Sequence, residues 1–285
     1  MNYLLVIFIK LLSYFPLYIL RLFSKFFYII NLLFIRYRFK VVYNNLKLVF
    51  PKKNHNELKE LRYLFFKYFF NLIIEIIKMI TVKRSFINNR VHIKNPELLS
   101  NMINDNNNVI LLSSHYNNWE WMGAKISMYY NKYPFIAIYK QLSSAIFNNL
   151  FIKSRERFGG KVINMEESIR YLLATKKKKK IIGIISDQNP VVNDVTEWLP
   201  FFNKEVPVFF GAELLSKKIN CPVVFCNMQY VGNNNYSITF EVISTEPKKT
   251  KKGEITKCYL KLLEKQIKKE PSQWLWSHRR WRHSK

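Results

Sequence analysis

His115 and Glu120 are the residues whose types and spacing can do chemistry. The run VILLSS (109–114) reads as a buried strand, and it ends directly at His115. A helix is expected over NWEWMGAKISMYY (118–130), which places Glu120 in its first turn. Reactive groups in α/β sheets collect just beyond the C-terminal ends of the strands. A strand-end histidine and a first-turn acid can face each other across the intervening turn. The carboxylate would then fix the imidazole tautomer, and the other ring nitrogen would take a proton from an alcohol, assistance worth ~10²–10⁴ in rate. The plainer alternative is a helix-capping acid beside a loop histidine, and the His-x-x-x-x-Glu spacing alone does not choose between them.

The elements that must hold this pair follow from periodicity. Residues 54–80 read as one long helix, with Asn54 or Asn56 as cap and Glu57 and Glu60 in the first turns. A short strand, RVHIK (90–94), precedes a helix that starts at Asn95-Pro96. Alternation then sets in: strand 134–140, helix 144–159, strand KVIN (161–164), helix EESIRYLLATK, and the buried strand IIGIISD (181–187). After a loop, PVFFGAELLSKKI is a helix, and PVVFCNMQY and NNYSITFEVI are strands joined across Gly232-Asn233-Asn234. A helix near 254–269 leads into QWLWSHRRWRH. Such alternation implies an α/β fold with a mostly parallel central sheet flanked by helices.

The N-terminal 45 residues differ in character, so the chain divides into a membrane-associating helical segment (1–45) and an α/β domain (46–285). Residues 2–35 are strongly apolar but carry Lys10, Arg21 and Lys25, and no small-residue cleavage site follows them. At about 100° per residue, Lys10, Arg21, Lys25 and Arg36 fall within about 80° of one another, the pattern of a helix lying in a membrane interface. Pro16 would kink such a helix. A single tilted span with snorkelling ends and a buried helical pair are the competing readings. Arg36, Arg38, Lys40 and Lys47 would sit beside anionic head groups on the cytoplasmic side.

Of the 285 residues 49% are hydrophobic, which excludes general disorder, and 46 Lys+Arg against 19 Asp+Glu give a formal net charge of +27. That surface suits polyanions: nucleic acid, anionic lipid or an acidic carrier protein. No recognition-helix, zinc-finger or ribonucleoprotein signature supports the first. Cys221 and Cys226 lie five apart, on opposite faces of a strand, so no disulfide or metal pair is expected there, and the five histidines show no metal-ligand spacing. No Ser or Cys stands in a nucleophile elbow of the G-x-S-x-G type, so no covalent nucleophile of that kind is expected.

Taken together, SSHYNNWEW after one buried strand, DQNP after another and the terminal WLWSHRRWR resemble the late (lauroyl/myristoyl-type) acyltransferases of bacterial lipid A biosynthesis, over almost the whole chain. The resemblance implies transfer of a fatty acyl chain from an acyl-carrier protein or coenzyme A thioester to a hydroxyl of a membrane glycolipid, most naturally a lipid A precursor. The enzyme would work on the cytoplasmic face of the inner membrane, with the thioester as co-substrate and no metal or organic cofactor. On that match His115 is the catalytic histidine and Glu120 its partner acid. Lys140 and Arg155 would be cations for a substrate phosphate or the oxyanion, and Asp187 and Gln188 would shape the pocket floor. Asn117 stands where the family commonly has Gly, and Lys140 where it has Arg; Asn tolerates a left-handed turn, whereas Lys loses bidentate phosphate geometry. Read singly, Asp187 could merely cap a turn and Arg155 sit on a solvated helix face. His278, Arg279 and Arg280 could hold head-group phosphate or belong to a basic aromatic tail resting on a membrane. Two alternatives remain: the same chemistry on a lysophospholipid or aminolipid, and a non-catalytic basic membrane-binding protein.

Overall fold

A central strand buried on both faces reads as a near-continuous apolar run, and Asn108–Ser113 (β2) is buried throughout, with Val109 to Leu112 apolar between its polar ends. Its side chains alternate between two cores: Val109 and Leu111 enter one, Ile110 and Leu112 the other. The computed structural model describes residues 2–106, 108–190 and 197–284. Around β2 stand Val91–Ile93 (β1), Phe135–Tyr139 (β3), Lys161–Asn164 (β4), Lys180–Ile185 (β5), Val223–Tyr230 (β8) and Tyr236–Ser244 (β9), in the order β1-β9-β8-β2-β5-β3-β4. Among the described residues, the β8–β9 hairpin is the one antiparallel pair of this sheet. The mostly parallel sheet expected from the alternation is present.

Helices cover both faces. Pro96–Asn106 (α6) and Trp119–Tyr129 (α7) pack on the side of Val109, together with the short Arg84–Asn88 (α5). Met165–Ala174 (α9), Gly211–Ile219 (α10) and Glu254–Lys269 (α11) pack on the side of Ile110, and Ala145–Glu156 (α8) connects β3 to β4. The long helix His55–Met79 (α4) serves both cores and starts with a full capping box between Asn54 and Glu57. Cys221 and Cys226 fall into opposite cores, as their odd spacing requires. One element was not legible: the segment read as a loop before α10 holds a small hairpin, Trp198–Phe201 (β6) with Lys204–Pro207 (β7). Its turn places Phe202 and Asn203 at φ 49° and 61°, and a Phe in that role gives little turn signal.

The N-terminal segment forms Asn2–Tyr14 (α1), a break at Pro16, Leu17–Ile30 (α2) with a π-helical turn over Asn31–Ile35, and Phe39–Val49 (α3). Residues 17–35 are long and apolar enough to cross a membrane by length and composition. Both α1 and α2 pack along α4.

Candidate active site

β2 and β5 are parallel neighbours with Ser113 beside Ile185. Two residues further along each strand this pairing brings His115 beside Asp187. The imidazole Nδ1 lies 2.7 Å from Asp187 Oδ1, and the His115 backbone N–H donates to Oδ2 at 3.0 Å. A carboxylate only accepts, so Nδ1 carries the proton and Nε2 is left as the base. Burial alone would raise the Asp187 carboxyl, but His115 and the hydrogen bonds from its ring, from Trp274 and from the His115 N–H hold it below its ordinary value. Asp187 is 2% exposed and stands behind the imidazole, which is the partly exposed member of the pair.

The next turn depends on one unusual backbone. Asn117 adopts φ 56°, the left-handed conformation its side chain tolerates best among non-glycines, and its amide donates to Met228 O. Asn118 then caps α7 by accepting from Trp121 N and donates to the buried Glu75 of α4. Burial raises the Glu75 carboxyl, although bonds from Tyr236 and Asn118 oppose this. Glu120 follows in the first turn of α7, and its hydrogen bonds go to residues other than His115. It receives Arg155 Nε at 2.8 Å and Nη2 at 2.6 Å, a two-pronged ion pair across to α8. Burial weakens the guanidinium charge, and Glu120 more than offsets this, so Arg155 is held above its ordinary value. The acid expected to hold the imidazole is therefore engaged elsewhere, and Asp187, expected at the pocket floor, occupies that position. A partner two strand-ends away wins because the parallel register fixes it rigidly, whereas Glu120 has a cation of its own.

The C-terminal stretch is also unlike a tail resting on a membrane. Trp274, Trp276, Arg280 and Trp281 are buried in the core on the Ile110 side of the sheet or against it. Trp274 Nε1 donates to Asp187 Oδ2 at 2.9 Å. Main-chain bonds Leu275 N→His115 O and Asn117 N→Gln273 O tie the same segment to the histidine loop. Asn189, two residues after Asp187, donates its N–H to His278 Nε2 and accepts from Arg280 Nη1. Burial lowers His278 to about 4, which keeps that nitrogen an acceptor. The aromatic spacing of WLWSHRRW was the available signal, but its charges masked a buried strap.

A cavity of about 850 Å³ opens against this pair. His115, Glu120, Lys140, Arg155 and Gln188 all line it, amid mostly apolar walls. One wall, formed by Gly123, Gly160 and Gly183, closes on the ring of Phe135: a Cβ on Gly183 would meet that ring at 2.6 Å. Such a space suits a hydrocarbon chain with a reacting head at the imidazole.

The family model for bacterial lipid A biosynthesis acyltransferase matches residues 1–283. The chain belongs to that family. It is accordingly an acyltransferase of the lipid A type. No match to an individual curated protein was found. Of the residues singled out from the sequence of this lipid A-type acyltransferase, five share one cavity and the sixth, Asp187, supports the histidine from behind. Trp274, Asn118 and Asn189, which fasten those residues, were not singled out.

Proposed function

We propose that the protein transfers a fatty acyl chain from an acyl thioester to a hydroxyl of a membrane glycolipid, a lipid A precursor being the acceptor the family favours. His115 Nε2 takes the hydroxyl proton as the acceptor oxygen attacks the thioester carbonyl. The C–S bond then breaks, and the imidazolium returns its proton to the leaving thiolate, giving an ester and a free thiol. Asp187 keeps the imidazole in the right tautomer and stabilises the imidazolium. Lys140, exposed at the end of β3, brings a cation to the mouth for a phosphate or carboxylate. Arg155 supplies positive charge near the developing oxyanion while holding Glu120, and Gln188 lines the floor.

The observation that carries this reading is an imidazole, fixed by a buried carboxylate, on the wall of a largely apolar cavity of about 850 Å³. We assign the catalytic work to residues 46–285 and membrane attachment, on the cytoplasmic face of the inner membrane, to residues 1–45. The donor is carried by acyl-carrier protein or coenzyme A; the +27 charge favours the acidic carrier and anionic lipid. The reaction written this way uses no metal or organic cofactor. Incubation of the purified protein with acyl donor and a lipid A precursor, followed by mass spectrometry, tests it. The expected result is one added acyl chain, lost in His115→Ala with folding intact. A strain lacking the gene whose lipid A acylation is unchanged, but whose lysophospholipid or aminolipid acylation fails, would redirect the acceptor. A His115→Ala protein that keeps all function would reject catalysis altogether.

A further inference from the structure

The two N-terminal helices carry an apolar stripe. From Leu4 to Leu33, at steps of three and four residues, the positions include Phe8, Leu11, Tyr18, Leu22 and Phe26, and all are exposed. Exposed apolar residues stand on both sides of the break at Pro16. On the opposite side, Ser13, Leu17, Leu20, Ser24 and Asn31 are buried. Polar bonds pin that side to α4 along its length. Lys78 Nζ and Thr81 Oγ1 donate to Ser13 O, Ser24 Oγ donates to Asn71, and Arg21 lies 3.8 Å from the buried Glu75.

These pins decide how the segment meets a bilayer. Partners run 13 with 78, 21 with 75 and 24 with 71, so α2 lies antiparallel against α4. A crossing by residues 17–35 would drag this stretch of α4 to bilayer depth, with Glu75 and the exposed Lys67, and charged side chains are costly there. Helix α1, at 13 residues, spans about 20 Å, short of the hydrocarbon core. Only 17% of the most apolar window of residues 17–35 is buried, so its free face needs a cover. Lys10, Lys25 and Arg36 are exposed beside that face, and basic side chains flanking a long apolar surface fit anionic head groups above a hydrocarbon layer.

We propose that α1 and α2 form a flat platform lying within a single anionic leaflet, without crossing it. The idea rests on the membrane role assigned above and settles its geometry. It also sets the cavity at the leaflet: α1 touches α8, whose Phe151, Ile152 and Arg155 form one cavity wall. An acyl chain can then move between bilayer and site sideways, without passing through water.

The test uses the full chain with different epitopes at its two ends, in sealed inner-membrane vesicles of either orientation. Added protease should remove both epitopes from cytoplasmic-side-out vesicles and neither from the reverse. An N-terminal epitope protected where the C-terminal one is cleaved would overturn the platform. Separately, Leu22→Asp with Phe26→Asp should weaken flotation with phosphatidylglycerol vesicles roughly a hundredfold or more. Acyl transfer to detergent-dispersed acceptor should persist in this variant. Unchanged flotation would refute the assigned face, whereas a wild-type protein that never floats would refute the membrane role itself.

Discussion

Asp187→Asn separates two ways of holding the imidazole, because the neighbours dictate how the amide must sit. Two donors, the His115 N–H and Trp274 Nε1, point at the Oδ2 position. The new side chain must place its carbonyl oxygen there to satisfy them. Its NH₂ then takes the Oδ1 position, 2.7 Å from His115 Nδ1. An NH₂ facing Nδ1 makes that nitrogen an acceptor and moves the imidazole proton to Nε2, so the base is capped. The expected loss in kcat is about 10⁴-fold at neutral pH, from tautomer inversion together with the lost stabilisation of the imidazolium. KM and the melting temperature should change little, since every hydrogen bond has a replacement. Glu120→Gln perturbs something else. It unpairs Arg155, whose side chain is 29% exposed against 7% for Glu120, so the cost in stability is below the fully buried case, about 1–3 kcal/mol. The cavity wall between α7 and α8 should loosen, raising KM more than it lowers kcat. Steady-state kinetics against pH, paired with thermal melting by circular dichroism, distinguishes the two. If Asp187→Asn stays within tenfold of wild type while Glu120→Gln loses a thousandfold in kcat at an unchanged melting point, the assignment of the imidazole's partner is wrong.

Trp274→Phe keeps the aromatic packing but removes one charge-assisted hydrogen bond from Asp187, worth about 1.5–3 kcal/mol if fully felt at the reacting imidazole. A fall in kcat of about ten- to a hundredfold with KM unmoved is expected, and a pure KM effect would contradict the strap's part in aligning the dyad. His278 sits at about 4 in the fold against an ordinary 6.5, so the unfolded chain takes up the proton first. Its contribution is complete above pH 6.5 and is lost as pH falls towards 4, up to about 3 kcal/mol. Denaturant titrations across that window should show the slope, and His278→Gln should flatten it. Phe135→Ala removes the ring that fills the glycine-lined wall of the cavity. Competition among acyl donors should shift preference to longer chains by about fourfold per added methylene buried; an unaltered length profile would place the end of the acyl chain elsewhere.

Most of the architecture was legible because it follows from local periodicity. The helix at 254–269 and the strand KVIN appear where the pattern puts them, and Pro16 breaks the N-terminal segment as a missing N–H requires. What escaped was the pairing of distant elements. His115 and Asp187 were each visible at the end of a buried strand, but the sequence pairs the imidazole with the acid five residues away and leaves the one 72 residues away at the pocket floor. Proximity in sequence favours Glu120; only the register favours Asp187. Once β2 and β5 pair in parallel with Asn108 beside Lys180, the offset is 72 at every rung, and the same offset carries 115 to 187. Residues in step on adjacent parallel strands leave the sheet side by side, a geometry far stiffer than a turn between a strand and a helix. The same logic explains the C-terminal strap. Its tryptophans fill the Ile110 side of the core, and its backbone binds the histidine loop and, through Arg279 O, the Asn189 side chain. His278 and Arg280 look like part of a solvated tail in one dimension and are fastened to Asn189 in three, while Arg279 and Arg282 stay exposed. A chain that builds its base from two strand ends needs a third segment to hold those ends together. Here the residues from Gln273 to Arg280 meet that need, and a truncation before Trp274 should abolish alignment of the pair even if the sheet survives.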